Sequence, residues 1–483
     1  MEETDSQSKV NIKIKKGLKW NLYNQIATQV IFMWFGIYLA RLLGPDAFGL
    51  VGMVTVLSGF ASIFVDFGFA SSVIYYKINT KNQLSSIFWF NLLLGIFIYL
   101  LFFAAAPLIA DFYNEPQLVS LTRMVTIGIV ISAFSSLQST LLTKDINFRK
   151  KVIIQWSSTL LSYTVGFYCA FQGYGVWSIV FMSLTASIVT TISLWYTTEW
   201  KPSLYFSLSD LKPLLKYSTS VGANSTFSYL TRNADNFIVA KFIGQSALGL
   251  YSTAYRIMML PVSNISSIFS SVLFAGFAKS KDRSHIASIY LKTISVISFV
   301  TFPLMVGVYC VATEFINIFY GAEWIEAIPL IKILSLLGAV QSILSLNGIL
   351  FNAVGKPKLA LYATFLFNVI LIPSWFLGIK MDGIVGFTLA YFIVSLVGSI
   401  FILYNAIRFI NLTLIDVFTS VKKPVLGSIL IYLSLVIVQE YALTGMEIWF
   451  IFVSKVIVGC VVYLVYSLVF QKDIISILKK IKN

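Results

Sequence analysis

Apolar stretches long enough to cross a bilayer, about 20 residues each, recur fourteen times along this chain. They fall at 20–40, 47–75, 84–110, 118–142, 152–171, 176–197, 217–240, 247–278, 286–312, 327–353, 359–378, 384–407, 424–440 and 448–470. The connections are too short to fold as separate domains, and the longest, 198–216, carries Pro202 and Pro213 and suits a hinge. The pattern predicts an all-α integral membrane protein of about 14 transmembrane helices. The first stretch follows a segment that is acidic and then basic (Lys9, Lys13, Lys15, Lys16, Lys19) and has no small-residue cleavage site. It is expected to be an uncleaved span rather than a signal peptide.

The seventh stretch departs from uniform apolarity. Ser220, Asn224, Ser228 and Thr231 recur at steps of three and four, giving the helix one polar face, and Arg232 and Asp235 lie near its middle. An arginine at bilayer depth costs roughly 2.5 kcal/mol or more, and such residues face a bundle interior or a water-filled cavity and mark transport paths. The same stretch opens the second copy of an internal repeat. Ala40-Arg-Leu-Leu-Gly-Pro-Asp-Ala-Phe-Gly-Leu50 returns as Ala240-Lys-Phe-Ile-Gly-Gln-Ser-Ala-Leu-Gly-Leu250, with five identical positions at a constant offset of 200. Lys150 recurs as Lys358, and Gly175-Val-Trp as Gly383-Ile-Val, at an offset of 208. An even number of spans per copy makes these parallel repeats. The expected organisation is an N-lobe over 1–197, a linker over 198–216, a C-lobe over 217–407, and two further spans with a basic tail over 408–483.

Composition agrees with a polytopic membrane protein: 58% of residues are hydrophobic and 11% charged, against about 25% charged in soluble domains. The net charge of +15 would suit nucleic acid only if it were clustered, and it alternates between loops instead. With the N-terminus inside, the inner segments hold 26 Lys and Arg and the outer loops three (Arg41, Lys241, Lys380). That bias places both termini in the cytoplasm. Cys169, Cys310 and Cys460 all lie within spans and define no disulfide framework.

Other charges inside spans are Asp66, Arg123, Arg256, Lys292, Lys332 and Lys455. Arg123, Lys292 and Lys332 lie close enough to span ends to reach the headgroups, and Lys455 is left open. Arg256 is a second deep cation, and Asp66 ends a stripe of Gly52, Thr55, Gly59 and Ser62. One interpretation has Arg232 and Asp235, at i and i+3, neutralising each other and pinning their helix to its neighbours. The other has a positively biased cavity suited to a phosphate or diphosphate, bound by Arg232 and Arg256, with Asp66 and Asp235 coupling an ion. Further polar stripes at Asn21, Asn24 and Thr28, at Ser132, Ser135 and Ser139, and at Gln341, Ser345, Gly348 and Asn352 suit either helix packing or sugar contacts. The sugar-contacting candidates are Asn24, Thr28, Asn224, Ser228, Gln341 and Asn352.

No catalytic constellation, metal-ligand spacing or cofactor motif is evident. His285 is the only histidine, which excludes a histidine-based triad or metal site. The largest outer loop, roughly 313–326 with Glu314, Glu323 and Glu326, suits an interfacial lid better than an active site.

Leu39-Ala-Arg-Leu-Leu-Gly-Pro-Asp-Ala-Phe-Gly-Leu50, Asp66-Phe-Gly-Phe-Ala-Ser-Ser72, Ala110-Asp-Phe-Tyr-Asn-Glu-Pro116, Gly175-Val-Trp177 and Trp200-Lys-Pro202 together carry a resemblance. The chain resembles the polysaccharide transporter (Wzx-like) branch of the multidrug/oligosaccharidyl-lipid/polysaccharide exporter superfamily, in particular the colanic-acid and teichuronic-acid exporters. The likeness implies two six-helix lobes around a V-shaped cavity in a bacterial cytoplasmic membrane. It also implies flipping of undecaprenyl-diphosphate-linked oligosaccharide by alternating access, with a polysaccharide polymerase and export machinery as protein partners. Related lipid II flippases use cations in their first two spans, and this chain has none deep there, so its site must differ. Their two extra helices form a lipid groove, the role implied here for the last two spans. The alternatives are a cation-coupled drug exporter, which normally needs acidic residues in span 1 that 20–40 lacks, and a membrane enzyme such as a polysaccharide polymerase.

Overall fold

The computed structural model describes residues 20, 23–25, 27–66, 68–78, 80–279, 282–353, 355–441, 445–474 and 476, without the side chains of 264–279, 352, 353, 357, 360 and 361. Every regular element among them is helical. After a π-helical turn at Phe32–Gly36 come α1 (Ile37–Asp66), α2 (Phe69–Tyr75), α3 (Lys81–Tyr113), α4 (Leu118–Ala133) and α5 (Ser136–Lys144). Next are α6 (Phe148–Phe171), α7 (Trp177–Thr197), α8 (Leu208–Phe242), α9 (Gln245–Lys279) and α10 (Arg283–Phe315). The chain closes with α11 (Ala327–Ala353), α12 (Pro357–Arg408), α13 (Leu414–Tyr441) and α14 (Ile448–Phe470). Among the described residues, eight helical stretches are long and apolar enough to cross a membrane, or nine with α4 and α5, which meet at 43°, taken as one broken span. The protein is a multi-pass membrane protein.

Helices are the forced solution, because hydrocarbon offers no partner for a free N–H or C=O. Long apolar runs therefore stay helical until a residue able to take positive φ breaks them. Gly44 (φ 72°) interrupts α1 just before Pro45, where proline suits the first helical position. Gly68 (φ 78°) separates α1 from α2, and Gly383 (φ 51°) breaks α12 into the two spans expected at 359–378 and 384–407. The repeat is visible in these breaks. Gly244 takes the left-handed conformation of Gly44, and Gly175 (φ 53°) that of Gly383. Lys150 and Lys358 both lie in the first turn of a helix, α6 and α12.

The chain separates into two compact units, 1–249 and 250–483. In the first, Phe69, Val73, Phe88, Leu137, Leu211 and Leu214 form a buried apolar cluster, and Phe134 stacks on Trp195 with centroids 4.7 Å apart. The connection after α7 is tighter than its sequence suggests. Residues 208–216 already belong to α8, with Pro213 in its second turn, so only 198–207 is non-helical. That strand of chain is tied down on α3: Ser203 N–H donates to Ser85 Oγ (3.0 Å), Ser207 N–H to Ser86 Oγ (3.1 Å) and Trp89 Nε1 to the Ser203 carbonyl (2.9 Å). In the second unit, Tyr290, Ile294, Leu346, Phe351, Ile407 and Ile410 form the core, and α13 and α14 both pack on α10.

The break at Gly68 is also a packing point, since a Cβ built there falls 2.6 Å from the Ser218 carbonyl of α8. Gly173 has nearly the same φ, 79°, but opens onto free space. Gly173→Ala should therefore cost only its conformational term, about 1 kcal/mol. Gly68→Ala should cost a further 1–3 kcal/mol or so for the overlap. Thermal unfolding of the two variants in detergent, followed by size-exclusion recovery, checks the difference.

Candidate functional site

Helix α8 has two faces, and its neighbours explain why. Ser218 and Gly222 are buried, and Ser218 Oγ lies 2.7 Å from Ser72 Oγ of α2. Tyr229 donates its hydroxyl to the Val56 carbonyl at 2.8 Å and lies over Gly59 of α1. Thr55 and Gly59, expected in a polar stripe ending at Asp66, are thus partly taken up by this packing. On the other side Ser220, Asn224 and Arg232 are exposed, and Ser228 is half-buried. Like α6, α8 falls short of the apolarity that marks the eight spanning helices, although its 35 residues are ample in length.

The two charges of α8 part company. Asp235 is 5% exposed and accepts from the Asn236 N–H at 2.8 Å. Arg232 is exposed and forms no ion pair among the described residues. The i, i+3 pairing of Arg232 with Asp235 is therefore not formed, and the guanidinium stays available. In the second unit Arg256 is exposed on α9, within electrostatic reach of the Tyr320 hydroxyl. Asp66 sits at the end of α1, half-buried, and both its oxygens lie within 3.4 Å of the Ala70 N–H. It caps α2 across the Gly68 break, an arrangement that satisfies a helix N-terminus.

The remaining stripes are divided. Thr28 donates to Asn24 Oδ1 at 3.4 Å, both half-buried. Asn21 lies outside the described residues. Gln341 donates to the Tyr391 hydroxyl at 3.2 Å, Ser345 and Gly348 are exposed, and the Asn352 side chain lies outside the described ones. Ser135 is buried and accepts from Thr191 at 3.0 Å, a contact between helices. Among the described residues no His, Cys, Asp or Glu cluster could hold a metal ion.

Two polar features of the second unit were not expected. Tyr290 donates to Asn347 at 2.7 Å, both fully buried between α10 and α11. More consequential is Lys455, which is 4% exposed on α14 and donates to Glu314 Oε1 at 2.7 Å and to the Cys310 carbonyl at 3.2 Å. Glu314, expected in an outer loop, is instead buried near the end of α10, because helix and π-turn run unbroken to Tyr320. The signal that could have joined them is arithmetic: a lysine deep in one apolar span requires an acid in another. Lys455 also lines a groove of about 560 Å³ between α10, α13 and α14, walled by Phe299, Pro303, Gly307, Leu435 and Tyr463.

Comparison with known proteins now bears on this arrangement. The family described as polysaccharide biosynthesis protein matches residues 38–329, more than half of the chain. The protein belongs to that family. Among similar proteins is the lipopolysaccharide biosynthesis protein WzxC of Escherichia coli, 28% identical over 431 residues that cover 86% of this chain and 82% of that one. The teichuronic acid biosynthesis protein TuaB of Bacillus subtilis is also 28% identical, covering 86% of each chain. Among solved structures, the lipid II flippase MurJ in an inward closed conformation matches with a TM-score of 0.77 at 17% identity, over 95% of this chain and 99% of that one. An inward-facing multidrug transporter of the MATE family matches with a TM-score of 0.64 over 79% of this chain and 94% of that one. At such identities these likenesses show the fold alone, one shared with these two transporters.

The Lys455–Glu314 pair gives a test of its own. Lys455→Met leaves a buried carboxylate unpaired and should cost about 3–5 kcal/mol, whereas the double variant with Glu314→Met should recover most of that loss. Denaturation midpoints of the purified single and double variants measure the recovery.

Proposed function

We propose that the protein is a flippase that moves undecaprenyl-diphosphate-linked oligosaccharide repeat units from the inner to the outer leaflet for surface polysaccharide synthesis. The observation that carries this reading is α8: a membrane-length helix, packed on one side, that keeps Asn224 and Arg232 exposed on another. Hydrocarbon does not tolerate such a face, whereas an aqueous path for a polar head group requires it. Membership of the polysaccharide biosynthesis family, with relatives named for lipopolysaccharide and teichuronic acid biosynthesis, supports a glycan as the cargo. The lipid II flippase fold supports a lipid carrier.

In this mechanism Arg232 and Arg256 supply cationic contacts to the diphosphate, which suits guanidinium's paired donors. Asn24, Thr28, Asn224, Ser228, Gln341 and Asn352 offer hydrogen bonds to sugar hydroxyls. The polyprenyl tail stays in lipid, because dragging it through water would cost about 0.8 kcal/mol per CH₂. The apolar groove between α10, α13 and α14 is the place for its first segments. Asp235 and Asp66 are the candidates for ion coupling, Asp66 the weaker because its carboxylate already caps α2. Transport runs by alternating access in the bacterial cytoplasmic membrane, with both termini inside and a polysaccharide polymerase and export machinery taking up the product. The protein acts as a transporter and not as an enzyme. A cation-coupled drug exporter is the second reading, favoured by the multidrug transporter fold and disfavoured by the absence of acidic residues in 20–40.

Arg232→Gln and Arg256→Gln, each in a strain lacking the chromosomal copy, should lower surface glycan about tenfold or more at unchanged protein abundance, the loss of one charge-assisted contact. Lipid-linked repeat units should accumulate on the inner leaflet. Normal glycan with both arginines replaced would remove the proposed site, and normal glycan in the deletion strain would remove the function. Asp235→Asn that lowers abundance alone would mark Asp235 as a structural pin.

A further inference from the structure

The two copies of the repeated motif do more than share a sequence. A Cβ built on Gly49 falls 1.8 Å from the carbonyl oxygen of Gln245, and one built on Gly249 falls 2.0 Å from the carbonyl oxygen of Pro45. These contacts are reciprocal. Gln245 is the counterpart of Pro45 and Gly249 of Gly49 at the offset of 200, so each copy presents the same glycine to the same backbone carbonyl of the other. Such mutual contacts are what a two-fold relation between copies produces. Burial follows the same register: Ala47 and Ala247, and Leu50 and Leu250, are buried, whereas Asp46 and Ser246 are exposed. One turn further along α1, Gly52 lies against Leu248, with Cδ2 at 3.1 Å from its built Cβ.

Here the first turns after Gly44 and Gly244 cross backbone to backbone. Only glycine permits that approach, which places Cα–H groups against carbonyl oxygens. Such an approach re-forms only when both glycines are present.

We propose that Gly49 and Gly249 form a reciprocal glycine seam that closes the end of the helices where the duplicated motif lies, and that the seam parts and re-forms in each transport cycle. This rests on the alternating-access mechanism above. The loop charges assign that end to the outside, so the seam sets the resting balance between closed and outwardly open forms. A methyl forced against backbone at either glycine shifts the balance by roughly tenfold or more towards the open form, the size expected of local overpacking.

Two measurements test it in protein with Cys169, Cys310 and Cys460 replaced by serine. First, Met53→Cys, at a fully buried position of α1, is labelled in whole cells with a membrane-impermeant maleimide. G49A and G249A should each raise labelling about tenfold, and G128A, whose nearest neighbour lies at an ordinary 3.7 Å, should leave it unchanged. Unchanged labelling in both seam variants overturns the proposal. Second, Gly52→Cys with Leu248→Cys keeps both seam glycines and removes the leucine side chain from the contact. Oxidation should join the two cysteines and lower surface glycan to the level of the deletion strain, and reductant should restore it. Absence of a crosslink, or full glycan export by crosslinked protein, overturns the seam even where the first variants fail to fold. The labelling needs no substrate, so failure of the flippase function, seen as normal glycan in the deletion strain, is told apart from failure of the seam.

Discussion

Hydrocarbon accepts no unsatisfied backbone, and the architecture follows from that constraint. Every described regular element is a helix, and the helices run as far as apolar sequence allows. Breaks occur where glycine can turn the chain, at Gly44, Gly68 and Gly383. The first two breaks are repaired locally. Pro45 restarts α1 without a donor to satisfy, and the Asp66 carboxylate receives the Ala70 N–H beyond Gly68. The connection over 198–207 is strapped on α3, where serine hydroxyls and a tryptophan ring nitrogen serve the backbone that has left a helix.

Polar side chains in the spans sort by whether the protein meets their needs internally. Ser72 with Ser218, Thr301 with Ser342, and Tyr290 with Asn347 are closed pairs between helices. They hold the bundle together much as small polar residues do in membranes generally. Lys455 with Glu314 is the charged version of the same solution, and a costly one to break. Asn224 and Arg232 differ, since they stay exposed on a helix whose opposite side is tightly packed. Polar groups left outward in a membrane protein need water or a polar ligand, and the proposed passage of a charged head group would meet that need along α8.

Division of labour within the second unit fits an amphiphilic cargo. Arg256 is an exposed residue on α9, while the groove between α10, α13 and α14 is walled almost wholly by hydrocarbon and aromatic rings. A head group and its lipid tail have opposite solvent needs, so separate surfaces must serve them. The docking of α13 and α14 is specific: the Tyr463 hydroxyl donates to the Phe299 carbonyl at 2.6 Å, and that of Tyr466 to the Lys423 carbonyl at 3.0 Å.

Much of this protein was legible in one dimension. Span length and apolarity are local properties, so helix class could be read from residue order, and so could the duplication, since repeated turns need the same backbone freedom at Gly44 and Gly244. The exposed face of α8 was legible too, because helical spacing alone groups Ser220 and Asn224. Pairing between distant positions was not. Residue order could not show that Glu314 belongs to a helix and meets Lys455, that Asp66 is spent on a cap, that Arg232 stands apart from Asp235, or that Gly49 receives a carbonyl from Gln245. Each of these depends on which helix faces which, and packing in three dimensions decides that: a charge or a glycine takes its meaning from the neighbour brought against it.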